Sequence, residues 1–411
     1  MTFRRSIPLK FEALLNRLGR ILTVLSTPFR YNSDMVRLGI DQLVDSAQVL
    51  KDKKVGILTN RSGVTSRLER NIDALLKAGV RLDLIFSPEH GLYASFMDGE
   101  KVREDSDRGT GIPIVPTYPH IEDALTRTAE LDIVVFDIQD VGARFYTYIS
   151  TLKRFVEAIP KFDFELWVAD RPNPIGHFVE GWLPEPRFFS FVCAANLPVR
   201  HGLTVGEIAL FYADELGVRD MVKVVPMDGW ERDRMFWDTE MVWVPPSPAI
   251  PTPQTALVYC GTGFFEGTNI SEGRGTARPF HLIGAPWIDG FKLSDTLNGL
   301  RLDAVRFLPA VFKPSASKYK DEVCQGVEIF VMDPYRYRAV EVGLRILSTI
   351  KELWPERFQW RKFNDSFFID KLAGTDRLRT ALDDGRLDEF FESNWVSDDY
   401  AAMIEEFLLY R

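Results

Sequence analysis

Leu131-Asp132-Ile133-Val134-Val135-Phe136-Asp137 is the strongest strand signal in the chain. It is short, apolar and β-branched, and it ends on a carboxylate, which reads as a strand buried in a sheet. Similar runs stand on either side of it. Val55-Gly56-Ile57-Leu58-Thr59-Asn60 and Leu82-Asp83-Leu84-Ile85-Phe86 precede it, Ile112–Pro116 is a further apolar run, and Glu165–Ala169 follows. Helical patterns fall between them, at Arg67–Ala78 (closed by Gly79), Ile121–Ala129 and Tyr148–Ala158. Strand and helix in alternation predict an α/β fold, a Rossmann-like, doubly wound and mostly parallel sheet.

Ligands in such sheets bind outside the carboxyl ends of the strands. Four strand ends here carry charged or amide groups: Asn60 and Arg61; Glu89 and His90; Asp137, Gln139 and Asp140; Asp170, Arg171 and Asn173. They are expected to line one rim. The second end, Ser87-Pro88-Glu89-His90-Gly91, is the most suggestive. Pro88 stops the strand because it has no N–H to give, and Gly91 permits a sharp turn. Between them a carboxylate and an imidazole can exchange protons near neutral pH. The first strand runs into Asn60-Arg61-Ser62-Gly63-Val64, without a GxGxxG fingerprint, and there is no Walker A motif. No cofactor is expected.

Further along, Pro172 and Pro174 stiffen an extended loop, Asp170–Gly176. In His201-Gly202-Leu203-Thr204-Val205-Gly206-Glu207, Thr204 is placed to cap a helix with Glu207 completing a capping box. That accounts for Glu207 structurally and leaves His201 as a site candidate. Trp243–Pro253 is proline-rich and reads as a stiff spacer. It divides the chain into residues 38–252 and a smaller α/β domain, 253–411. The second part is expected to open on a strand, Thr255–Cys260. The loop Phe265–Pro279 follows, mixing glycines, carboxylates and arginines. The rest holds a strand at Val327–Val331 and helices near Val340–Leu353 and Asp399–Leu409.

The 411 residues are 45% hydrophobic and 27% charged, an ordinary globular balance, and the net charge of -9 argues against a general nucleic-acid-binding role. Three scattered cysteines, Cys193, Cys260 and Cys324, give neither a disulfide framework nor a zinc motif. Residues 1–37 are basic, with apolar residues at helical spacing. A solvated leader on a cytoplasmic chain is the simplest reading. An amphipathic helix on an anionic surface, or a weak signal peptide leading to the periplasm or outside, are the alternatives. No run reaches transmembrane length.

The stretches Ser87–Gly91, Val135–Tyr148, Asp170–Gly176, His201–Thr204, Thr255–Tyr259 and Phe265–Thr276 together resemble the NamZ family, long catalogued as a domain of unknown function. The likeness runs in order from about residue 38 to the C-terminus. It implies a Rossmann-like N-terminal domain, a smaller C-terminal domain and an active site in the cleft between them. It also implies release of N-acetylmuramic acid from the non-reducing end of peptidoglycan fragments, with Glu89 catalytic. The chain departs from the family pattern at Met97-Asp98-Gly99-Glu100, where relatives usually carry Asp-Ala-Gly-Glu, and at Arg61 and Ala249.

Hydrolysis of a β-glycoside usually takes two carboxyl groups, one protonated and one ionised. On this reading Glu89 is the acid, and Asp140 or Glu272 its partner ahead of Asp137. His90, Asn60, Asp137, Tyr146, Asp170, Arg171, Asn173, His201 and Asn269 are expected to bind substrate. Arg144, Arg274 or Arg278 would pair with the lactyl carboxylate of a muramic acid, since a guanidinium fork matches a carboxylate. A metal held by Glu89, His90, Asp137 and His201 is the rival chemistry, and a non-catalytic sugar-binding protein the rival class.

Overall fold

The computed structural model describes residues 36–396 and 398–411. The readings of the basic leader therefore lie outside the described residues, apart from Val36 and Arg37. Six strands form the parallel sheet: β1 (Val55–Thr59), β2 (Leu82–Ser87), β3 (Ile114–Pro116), β4 (Ile133–Asp137), β5 (Glu165–Ala169) and β6 (Val222–Val225). Their order is β3-β2-β1-β4-β5-β6. The pleat explains the apolar runs. Val55 and Ile57 of β1, and Ile133 and Val135 of β4, point into a core on one face. Leu58, Val134 and Phe136 point into the core on the other. A strand that feeds two cores has little room for polar residues between its ends.

The second core continues without a break past the proline-rich stretch. It takes in Tyr148, Leu152 and Phe155 of the helix Thr147–Phe162, then Leu257 and Val258, and reaches Ile283, Val327 and Ile329. Those last residues belong to an antiparallel sheet of β7 (Leu282–Ala285), β8 (Val305–Phe312) and β9 (Cys324–Val331), ordered β7-β9-β8. The helix Gly290–Gly299 packs on it, and the helix Ala339–Leu353 packs against that helix and against Pro253–Thr262. A short hairpin, β10 (Lys362–Phe363) and β11 (Ser366–Phe367), precedes the C-terminal helices.

One element differs in kind from the expectation. Thr255–Cys260 is not a strand; it lies inside the helix Pro253–Thr262. Thr252 caps that helix, its Oγ1 accepting from the Thr255 N–H at 3.1 Å, and Pro253 occupies the first turn, where no N–H is needed. The helix is buried on nearly every side, which erases the polar stripe that marks a surface helix and leaves a continuous apolar run. Its end meets the helix Ala339–Leu353 backbone to backbone. A Cβ on Gly261 would come within 1.9 Å of the Ala339 carbonyl oxygen, so only glycine fits. β6, β7 and β8 were not read from the sequence, and further differences are in boundaries. The helix expected to stop at Ala158 runs on to Phe162, with Pro160 in its last turn. The capping box at Thr204 forms, with Thr204 N–H donating to Glu207 Oε2 at 2.9 Å and Glu207 N–H to Thr204 Oγ1 at 3.2 Å.

Among the described residues, no helix is long and apolar enough to cross a membrane.

Candidate active site

The polar groups at the ends of β1, β4 and β5 bond mainly to one another. Asp137 is wholly buried and accepts from Arg171 Nε at 2.6 Å, from Arg171 Nη2 at 3.0 Å and from Asn71 Nδ2 at 2.7 Å. Asn60 donates to Tyr148 Oη and to the Pro246 carbonyl, each at 2.9 Å, and accepts from Ser62. Gln139 donates to the Asp140 and Pro172 carbonyls. The crevice beside Ser62, Gln139 and Arg171 encloses only about 20 Å³. Where doubly wound sheets often take a ligand, this one is filled by its own side chains.

Asp170 and Asn173 are consumed in the same way. Asp170 accepts from the N–H groups of Arg171 and Gly206, from Thr204 Oγ1 and from Tyr410 Oη. Burial raises its pKa and the Tyr410 hydroxyl pulls it back, leaving it at about 7. Asn173 spans Leu203 O and Ile175 N–H. Asp140 accepts from Gly142 N–H at 2.7 Å and stands 3.5 Å from His201 Nε2. His201 Nδ1 accepts from Leu203 N–H, so the imidazole proton sits on Nε2, facing that carboxylate.

The end of β2 is different. It opens on a cavity of about 410 Å³, a size suited to a small organic ligand. His90 and Gly91 are consecutive residues in the left-handed region, with φ of 73° and 77°. For a histidine that conformation is costly, and the turn is held by hydrogen bonds from Ser95 N–H and Phe96 N–H to the His90 carbonyl. The turn presents Glu89, 7% exposed, to the cavity. Glu89 Oε2 accepts from Thr147 Oγ1 at 2.7 Å and Oε1 from Gly99 N–H at 3.1 Å. His90 Nδ1 lies 2.9 Å from the Phe96 carbonyl, which can only accept, so Nδ1 carries the proton and Nε2 is a bare acceptor. Burial lowers the His90 pKa, outweighing the pull of Glu89, and keeps the ring neutral near pH 7.

Glu266 lies on the same cavity wall. It accepts from Arg274 Nη2 at 2.8 Å, and its burial raises its pKa above the usual carboxylic range despite that guanidinium. Arg274 also stands 3.4 Å from Asp98 and 3.5 Å from Glu272, and lies 4.9 Å over the Phe280 ring. Burial works against its charge, but the carboxylates around it win and raise its pKa. Aromatic residues form much of the lining. Tyr146 packs edge-on to Tyr148 at 4.8 Å, and Tyr259 to Phe280 at 4.6 Å. The proline-rich stretch is a wall rather than a spacer. The Pro246 carbonyl is held by Asn60 and by Tyr148 Oη, and Ser247, Ala249 and Ile250 line the cavity.

Of the candidates read from the sequence, Glu89, His90, Tyr146 and Arg274 therefore share the cavity. Asn60, Asp137, Asp140, Asp170, Arg171, Asn173 and His201 do not line it. Nor does Arg144, which is fully buried and donates to the carbonyls of Trp182, Leu197, Leu372 and Ala373. Asn269 brackets the backbone of Arg357 and Gln359, and Arg278 pairs with Glu328. Glu272 does not line the cavity either; it stands 3.5 Å from Arg274, which does, and is held by Lys318 Nζ at 2.7 Å. Sequence reasoning missed Asp98, Thr147, Glu266 and Arg361. Glu266 had a signal: a carboxylate set directly after two phenylalanines, Phe264 and Phe265, is poorly placed for water. Among the described residues, no cluster of three or more His, Cys, Asp or Glu is placed to hold a metal.

Residues 55–254 match the family model for the N-terminal part of exo-β-N-acetylmuramidase NamZ, and residues 257–410 match the model for its C-terminal part. The peptidoglycan β-N-acetylmuramidase NamZ of Bacillus subtilis is 41% identical over 354 residues, covering 85% of each chain. Two crystal structures of DUF1343 family proteins from Bacteroides fragilis share the fold. One has a TM-score of 0.84 at 31% identity, covering 92% of this chain and all of that one. The other has a TM-score of 0.69 at 27% identity, covering 92% and 99%.

Proposed function

The chain belongs to the NamZ family of exo-β-N-acetylmuramidases, and on that premise we propose that it is a glycoside hydrolase releasing N-acetylmuramic acid from the non-reducing end of peptidoglycan fragments. The reaction takes place in the cavity at the end of β2, between the parts of the chain before and after residue 252, which we treat as two domains. The observation that carries this is the meeting of Glu89 and Glu266 in one aromatic-lined cavity.

The two carboxyl groups sit in unlike surroundings, the arrangement that separates an acid from its partner. Glu89 accepts a hydrogen bond on each oxygen, which suits a negative charge. Glu266 is held toward its neutral form by burial. We assign Glu266 as the proton donor to the leaving oxygen and Glu89 as the carboxylate acting at the anomeric centre, directly or through water. This exchanges the role that the sequence suggested for Glu89, and it replaces Asp140 and Glu272, which lie outside the cavity.

Leaving-group chemistry tests both parts. A dinitrophenyl glycoside departs without protonation, whereas a sugar does not. Glu266→Gln should lose turnover of muramyl disaccharides yet keep most of its turnover of a dinitrophenyl muramide. Glu89→Gln should lose both. The opposite pattern returns Glu89 to the proton-donor role. Full activity in both variants removes the active site from this cavity.

A further inference from the structure

Resting on the muramidase reading, we propose that Arg361 is the residue that selects for the lactyl carboxylate of the substrate.

Among the described residues, two guanidinium groups line the cavity, those of Arg274 and Arg361. Arg274 is surrounded by Asp98, Glu266 and Glu272, with Lys318 bound to the last of these. Its guanidinium already serves those three carboxyl groups from a buried position, so an incoming anion would have to displace a partner it holds. Arg361 differs in every respect. It is exposed, and no carboxylate among the described residues stands within ion-pairing distance of it. Its backbone is fixed at both ends: the Arg361 N–H donates to Gly267 O at 2.8 Å and its carbonyl accepts from Phe368 N–H at 2.9 Å. The first bond ties it to the residue after Glu266. Its guanidinium lies 5.8 Å from the Phe368 ring, and Phe368 also lines the cavity. An anchored fork of donors without an anion, on the wall of a sugar-sized cavity, is the group that can take a carboxylate bidentately. Phe363 of the same hairpin is an exposed aromatic lining the cavity, able to cover a sugar face beside it.

N-acetylmuramic acid and N-acetylglucosamine differ by the lactyl group, so they isolate this contact. Calorimetric binding of both sugars would be compared in the wild type, Arg361→Gln and Arg361→Lys, alongside turnover of a chromogenic muramide by the wild type. The glutamine variant should weaken N-acetylmuramic acid binding by about 10- to 100-fold and leave N-acetylglucosamine unchanged, with lysine recovering part of the loss. Unchanged binding of N-acetylmuramic acid would overturn the proposal. So would an equal loss for both sugars, which would mean that Arg361 merely shapes the cavity. A wild type that binds N-acetylmuramic acid through Arg361 but cleaves no muramide would refute hydrolysis and leave the binding assignment standing.

Discussion

Thr147 Oγ1 donates to Glu89 Oε2 at 2.7 Å, joining the first residue of a long helix to the turn after β2. The bond fixes the direction in which Glu89 meets the cavity. Thr147→Val keeps the shape and deletes the donor. We expect kcat to fall about 10- to 100-fold, the effect of removing one charge-assisted hydrogen bond from the proposed catalytic carboxylate, with KM and the melting temperature little changed. Steady-state kinetics with a chromogenic muramide measures it. An unaltered kcat would show that the carboxylate needs no such support.

Asp137 and Arg171 form a buried ion pair at 2.6 Å, 0% and 4% exposed at their side chains, and they do not line the cavity. Asp137→Asn should cost about 3–5 kcal/mol of stability, because it strands a guanidinium inside the protein. Turnover per folded molecule should be retained. Urea denaturation and active-site-normalised kinetics separate the two effects. A large loss of kcat in a stable variant would restore Asp137 to the site.

Asp170 titrates at about 7, above its ordinary 3.8, and Tyr410 Oη donates to it at 2.6 Å. A carboxyl group raised on folding binds its proton more tightly in the native state. Its favourable contribution is therefore complete below about pH 4 and lost as pH rises through about 7. Above that pH the buried charge depends on its donors. Tyr410→Phe removes one of them. It should cost about 1.5–3 kcal/mol at pH 8 and distinctly less at pH 5. Chemical denaturation at the two pH values reads the difference directly, and an equal loss at both would contradict the assignment.

Five of the six parallel strands were legible, the central ones because burial on both faces forces the chain to be apolar along them; β6, with Lys223 exposed in its middle, left no such run. The capping box at Thr204 and Glu207 was legible because its whole chemistry lies within four residues. The helix Pro253–Thr262 was not, because burial on all sides removes the periodicity that separates a helix from a strand. The site was half legible. Polar residues at strand ends suggested a rim, but Asp137, Arg171 and Asn71 answer one another, and a sequence does not reveal which polar groups are already partnered. Glu89 stood out through its turn. Glu266 and Arg361 join it by long-range packing, which no local pattern records.

The hold of Asn60 and Tyr148 on the Pro246 carbonyl has a consequence for how a ligand is chosen. It anchors the proline-rich wall to the parallel sheet itself, so that this side of the cavity is a mould rather than a clamp. Under the proposed function, a sugar entering against it meets a surface whose shape is set by the sheet before binding.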